Sequence, residues 1–346
     1  MDITKIDKNF AVETKIEREG LAFYDIRQEP FQIYGIYWED GKFRRLPESV
    51  AKATNPGVAE LHADTAGGRV RFVTDSPYIA ISAQMGEVRK MSHFPFTGSI
   101  GFDLYTGKRY VNTFVPPVDV TDRFEGVIDV GGEEREYTIN FPLYSQVSKL
   151  YIGIREGSTL KAAPEYTVSK PVVYYGSSIT QGGCASRPGN AYQSIITREL
   201  NCDHINLGFS GSAKGEDMIA QYIAGLEMSA FVYDYDCNAP TPEHLRATHE
   251  RMFKIIRQAH PDLPILMLTR PKYHLNAEEE ERIAIVKKTY GNAIAAGDRN
   301  VYFIPGPELI LELVRETATV DNCHPNDSGF MSMAYVIGEK LKRILK

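Results

Sequence analysis

A chain of 346 residues, 43% hydrophobic and 24% charged, has the makeup of a globular protein and the length for two domains. Its formal net charge of -6, with no long basic run, argues against nucleic acid or an acidic membrane as a partner. No apolar stretch approaches the ~18 residues of a membrane span.

The segment from Met1 to Gly20 is charged and lacks the apolar core of a signal peptide. As written, the chain is expected in the cytoplasm; a leader removed upstream would instead place it in the periplasm or outside the cell. The cysteines are Cys184, Cys202, Cys237 and Cys323. None forms a CxxC pair, so no structural zinc site is expected. Small buried thiols are the simple reading, and a disulfide between two loops is the alternative.

Up to about residue 165 the pattern is β-rich. Phe31 to Tyr37, Val70 to Thr74, Tyr78 to Ser82, Tyr137 to Phe141 and Leu150 to Ile154 alternate like half-buried strands. Asp40-Gly41, Gly67-Gly68, Asp75-Ser76-Pro77 and Gly131-Gly132 supply turns. Residues 1–168 therefore read as a β-sandwich or jelly-roll domain.

Residues 169–346 change character. The apolar run Val172 to Tyr175 ends in Gly176-Ser177-Ser178-Ile179-Thr180, with a helix-like segment following. Asp203 to Leu207 leads to a helical stretch over Glu216 to Leu226. Ser229 to Tyr233 leads to a helix capped by Thr241 with Pro242 at its first position. Pro264 to Thr269 precedes a helix over Glu278 to Ala296, Val301 to Ile304 is the last strand, and Asp327 or Ser328 caps the final helix. Alternating strands and helices predict a parallel sheet covered on both faces, with ligands at the carboxyl ends of its strands.

The residues at those ends carry the chemistry. Ser178 follows the first strand in a turn of small residues, where a hydroxyl is exposed to a base. A helix-capping or phosphate-holding loop reads equally well from this stretch alone, and GxSxG is absent. Gly211, after the second strand, offers an unhindered backbone N–H to an oxyanion, and Asn238, after the third, a side-chain N–H. Asp234 and Asp236 raise a divalent-metal and phosphoryl-transfer reading, but no histidine spacing accompanies them. In Asp321-Asn322-Cys323-His324 a carboxylate three residues before a histidine would orient the imidazole as a base.

Taken together and in this order, the four blocks resemble the SGNH/GDSL hydrolase superfamily. Gly176-Ser177-Ser178 stands at that family's Gly-Asp-Ser block, Gly211 at its glycine, Asn238 at its asparagine, and Asp321 to His324 at its DxxH. Gly101-Phe102-Asp103-Leu104-Tyr105 resembles the GxDLY motif of a β domain that precedes some of these hydrolases. Ser177 in place of aspartate, and Cys237-Asn238-Ala239 in place of Gly-x-Asn-Asp, depart from the pattern.

The resemblance implies a flavodoxin-like α/β hydrolase domain behind an all-β domain. It implies ester hydrolysis with Ser178 as nucleophile, His324 as base and Asp321 as its orienter. Gly211, Asn238 and the Ser178 N–H would form the oxyanion hole, with no metal or organic cofactor. The implied substrate is a small-molecule or glycan ester, with a short acyl group, acetyl foremost. Arg270, directly after a strand, and Arg187, after the nucleophile loop, are candidates for contacting it. A homo-oligomer is compatible with this reading. The alternatives are a glycan-binding protein on a degenerate hydrolase fold, or a thioesterase or lipase of the same fold.

Overall fold

The structure, a computed structural model, describes residues 12–345; residues 1–11 of the stretch read above for a leader lie outside it. The strands before residue 162 are β1 (Leu21–Asp25), β2 (Gln32–Tyr34), β3 (Tyr37–Glu39), β4 (Lys42–Arg44), β5 (Arg69–Thr74), β6 (Tyr78–Met85), β7 (Phe102–Thr106), β8 (Arg109–Phe114), β9 (Arg123–Asp129), β10 (Arg135–Asn140), β11 (Val147–Arg155) and β12 (Leu160–Lys161). They form antiparallel sheets in the orders β1-β11-β6-β9 and β12-β5-β10-β7-β8, with β2 added on β5 and β3-β4 as a separate hairpin. The alternating residues that predicted strands, among them Val70, Phe72, Ile79, Ile81, Ile139 and Ile152, fill one core between the sheets.

The single strand expected over Phe31 to Tyr37 is instead β2 and β3. Gly35 breaks it with φ +74, and a Cβ there would lie 2.4 Å from the Gly67 carbonyl oxygen. Helices α1 (Glu48–Thr54) and α2 (Pro56–Leu61), which the strand pattern did not anticipate, leave the sandwich. Their Ala51, Val58 and Leu61 join a core with Ile219 and Phe231 of the second half. A short α3 (Phe96–Ser99) precedes β7.

The second half runs β13 (Val168–Gly176), α4 (Ser178–Gln181), α5 (Tyr192–Leu200), β14 (Cys202–Gly208), α6 (Asp217–Ala224), β15 (Ala230–Asp234), α7 (Pro242–Ala259), β16 (Ile265–Leu268), α8 (Ala277–Ala295), β17 (Val301–Ile304) and α9 (Asp327–Ile344). The sheet is parallel in the order β14-β13-β15-β16-β17. Strand side chains alternate between its faces. Val173, Tyr175, Phe231 and Met267 pack with α6, α7 and α8, whereas Val172, Tyr174, Val232 and Leu266 pack with α5 and α9. Thr241 caps α7 through the His244 N–H, as expected. The cap of α9 is Asn326, whose side chain accepts from Ser328 and Gly329, not Asp327 or Ser328. No helix among the described residues is long and apolar enough to cross a membrane.

The two halves are clasped by the GxDLY segment. Asp103 is fully buried. It accepts hydrogen bonds from Asn140 at 2.8 Å and from the Gly189 N–H at 2.8 Å, and it pairs with Arg187 at 3.2 Å. Arg187 also donates to the Tyr105 hydroxyl and lies 3.9 Å over the Tyr110 ring. Arg187, named above as a candidate substrate contact, here has its guanidinium engaged in joining the domains. Gly189 is needed because a Cβ would come within 2.4 Å of the Tyr105 ring.

Candidate active site

In this strand order the first strand, β13, has its successors on opposite sides, which makes its carboxyl end the switch point where such sheets hold ligands. Gly176 ends the strand; a Cβ there would sit 1.8 Å from Asp234 Oδ1 and 2.2 Å from Thr180 Oγ1. Ser177 caps the one-turn α4, its hydroxyl accepting the Ile179 N–H at 3.1 Å. Ser178 opens that turn, and Gly182 closes it in the left-handed region at φ +104.

Ser178 Oγ lies 2.9 Å from His324 Nε2, and His324 Nδ1 lies 2.8 Å from Asp321 Oδ2. The other Asp321 oxygen accepts the backbone N–H of Cys323 at 3.0 Å and of His324 at 2.7 Å. The carboxylate thus holds both the loop and the imidazole, and in the neutral ring it keeps the proton on Nδ1, leaving Nε2 to accept from a hydroxyl. Burial would raise the Asp321 carboxyl, but its bonds to His324 outweigh that and hold it below the ordinary carboxylate range. A hydrogen bond with Cys323, opposed by burial and aided by Asp321, pushes His324 up to about 9. The cysteines are free thiols, so no disulfide joins the loops.

The loops that carry the two expected oxyanion donors, after β14 and β15, meet at the Phe209 carbonyl. The Ser212 and Ala213 N–H groups both return to the Phe209 carbonyl, folding a turn in which Gly211 adopts φ +66 and its own N–H takes no part. Asn238, in a 3-10 turn after β15, donates from Nδ2 to that same Phe209 carbonyl at 3.1 Å, leaving its second amide hydrogen. The second and third loops are therefore tied to one another.

Several supports were invisible in the sequence. The buried Gln181 donates to Asp64 at 3.1 Å and to the Leu143 carbonyl at 3.2 Å, while its Oε1 accepts the Ser210 N–H at 3.0 Å. Burial, against the charges of Arg89 and Arg45, pushes Asp64 up to about 6. Arg45 donates to the carbonyls of Asn206 at 3.1 Å and Gly208 at 2.7 Å, fixing the end of β14. Tyr144 donates to the Ser178 carbonyl at 3.1 Å. Asp327 accepts the Ser186 N–H at 2.8 Å and so tethers the loop after α4. These partners are far apart in the chain, and no local spacing marks them.

The carboxylates of the metal reading are engaged elsewhere. Asp234 accepts from Thr180 beneath the serine turn, and burial pushes it up to about 8. Asp236 accepts the Arg270 N–H at 3.0 Å. The Arg270 side chain pairs with Glu279 at 3.0 Å and donates to the Asn322 carbonyl at 3.3 Å. It thus braces the Asp321–His324 loop and borders a 230 Å³ cavity with Cys237 and Lys272.

A doubly wound parallel sheet with Ser178, His324 and Asp321 linked at its switch point, behind a β-sandwich, defines a hydrolase of the SGNH type. The chain belongs to the GDSL-like lipase/acylhydrolase family, whose family model matches residues 169–345. Residues 21–160 match the GxDLY domain, described as the N-terminus of SGNH-hydrolase-type esterases. Both findings agree with the resemblance drawn from the motifs. A protein described as a GDSL-like lipase from Bacteroides ovatus superposes with a TM-score of 0.83 at 27% identity, covering 94% of this chain and 98% of that one. A salicylyl-acyltransferase from a tetracycline biosynthetic pathway gives 0.74 at 19% identity, again covering 94% and 98%. A family two carbohydrate esterase from Clostridium thermocellum, solved with cellohexaose, gives 0.61 at 14% identity, covering 90% and 98%. The last two establish a shared fold. No curated protein matches the chain.

Proposed function

We propose that this protein is a serine esterase that removes short acyl groups, acetyl foremost, from a hydroxyl-rich substrate such as a carbohydrate. The observation that carries the reading is the continuous relay from Ser178 Oγ through His324 to Asp321, at 2.9 and 2.8 Å. Ser178 attacks the ester carbonyl as His324 takes its proton. The oxyanion is received by the N–H groups of Ser178 and Gly211 and by the Asn238 amide. His324 then protonates the departing alcohol, and the acyl-enzyme is hydrolysed by a water that His324 activates. The carbohydrate esterases among the structural neighbours, including an acetyl xylan esterase from Butyrivibrio proteoclasticus, support a sugar as the alcohol.

The test is a screen of acetylated mono- and oligosaccharides against nitrophenyl esters of increasing chain length, with Ser178→Ala alongside. Turnover of acetylated sugars that is lost in the variant is expected. Preference for long acyl chains would overturn the substrate, and unchanged activity of Ser178→Ala would overturn the mechanism.

A further inference from the structure

A second constellation borders the Ser178–His324 pair. His93 comes from the loop after β6, Cys184 from the loop after α4, and His324 from the loop before α9. One nitrogen or sulfur atom of each lies within 4.8 Å of the other two. The His93 and His324 rings stand 5.6 Å apart at 50°. Cys184 is buried and a free thiol, while His93 is exposed. Neither His93 nor Cys184 belongs to the relay, and the mechanism above gives them no task.

We infer that His93, Cys184 and His324 form a site for a borderline-soft divalent cation, zinc foremost, and that its occupation switches hydrolysis off. Two imidazoles and one thiol are a nitrogen and sulfur donor set, which zinc accepts at roughly 2.0–2.3 Å with a fourth position left open. Tetrahedral geometry at those bond lengths puts neighbouring ligand atoms roughly 3.5 Å apart. Atoms already within 4.8 Å of one another reach that separation by small side-chain rotations, most easily made by the exposed His93. Calcium and magnesium, which take oxygen ligands, do not match this set.

The geometry also decides which atom the metal takes. His324 Nδ1 is committed to Asp321 at 2.8 Å, so Nε2, 2.9 Å from Ser178 Oγ, is the nitrogen a cation takes, displacing any proton it carries. A cation there occupies the pair of electrons that would receive the serine proton. Binding converts the Cys184 thiol to a metal thiolate and releases to solvent both its proton and any proton held on His324 Nε2. A second grouping, Asp321 with Cys323 and His324, is less suited. There Asp321 already accepts three hydrogen bonds, and His324 would have to surrender its orienting bond. The inhibition rests on His324 acting as the base of the proposed mechanism; the binding does not.

The test uses the full chain, stripped of metal by a chelator. Zinc is titrated in by calorimetry, cobalt is used to read the thiolate charge-transfer absorption, and acetyl-ester hydrolysis is followed with and without the chelator. Each variant is normalised to its own zinc-free rate. One zinc per chain is expected, with inhibition that the chelator reverses. Loss of an outer-shell partner costs metal sites ~10–100-fold in affinity, so His93→Ala and Cys184→Ala should each cost at least that. His93→Ala, at an exposed position, keeps the test decisive should Cys184→Ala fail to fold. Ser178→Ala should still bind zinc, which separates this site from the esterase reading. Absence of binding, undiminished binding in His93→Ala, dependence on Cys323 in a Cys323→Ala variant, or full hydrolysis by the zinc-loaded protein would each overturn the inference.

Discussion

Gln181→Met tests whether the β domain holds the oxyanion loop in place through the helix that follows the nucleophile. The substitution keeps the length of the side chain and removes its polar end. It leaves the Leu143 carbonyl and the Ser210 N–H without their buried partners, and takes one donor from Asp64. A buried group stripped of its partner costs ~1–3 kcal/mol. Asp64 keeps an Arg89 contact at 3.5 Å, so the first two groups dominate, and the loss of stability should be about 2–6 kcal/mol. Ser210 precedes Gly211, so freeing its N–H loosens a proposed oxyanion donor without deleting it. The fall in kcat should stay below the ~10²–10³ that loss of a whole donor costs, with KM little changed. Urea unfolding followed by the fluorescence of the single tryptophan, together with steady-state hydrolysis of an acetyl ester, reads both quantities. Gln181→Glu should do more harm, because it sets a second carboxyl against Asp64. A Gln181→Met protein that is destabilised yet retains full kcat would refute the link between this network and the oxyanion loop.

Other outcomes follow from the same geometry. Asn238→Ala should lower kcat by ~10²–10³ with little change in KM; an unaltered kcat would remove Asn238 from the oxyanion hole. With His324 pushed up to about 9, the base is protonated at neutral pH, so kcat/KM should climb as pH rises to about 9. Cys323→Ala deletes the first cause of that rise and should move the limb to lower pH, which a pH–rate profile reads directly. Asp234, raised to about 8, favours folding most below its unfolded value near 4 and loses that contribution as pH rises through about 8. Asp234→Asn should therefore flatten the stability–pH curve across that window, as thermal melts at several pH values would show. Asp103→Asn leaves Arg187 without its buried counter-charge; breaking such a pair costs ~3–5 kcal/mol, read as a lowered unfolding midpoint and faster proteolysis between the domains.

What could be read from the sequence was what is local. The strand β13 is a continuous apolar run because both faces of the parallel sheet are covered, and the run stops where the chain reaches the rim. The pairing of Asp321 with His324 spans three residues of one loop, so spacing alone exposed it. Arg187 shows what local reading cannot supply. Its place after the nucleophile loop pointed to substrate, but its partner Asp103 lies 84 positions earlier and arrives only when the domains dock. Asp64 is 117 positions from Gln181, and Tyr144 is 34 from Ser178. Helices α1 and α2 were missed because their buried residues answer to the hydrolase core and not to the neighbouring strands. Gly35 was missed because its constraint is the approach of Gly67, a tertiary contact.

These long-range partners share a direction: they run from the β domain to the loops of the proposed active site. Asp103 holds the loop after α4 through Gly189 and Arg187. Arg45 holds the end of β14, and Asp64 reaches the proposed oxyanion loop through Gln181. Tyr144 bonds the carbonyl of Ser178 itself, and His93 stands against the His324 ring. A free parallel sheet could present the same serine, glycine and asparagine, but on loops that are among the most mobile parts of a fold. Oxyanion stabilisation depends on donors fixed before the reaction begins, so a scaffold that removes loop freedom acts on kcat and not merely on melting temperature. The GxDLY segment then has a physical meaning: its buried aspartate is the point at which one domain fixes the position of the other's active-site loop.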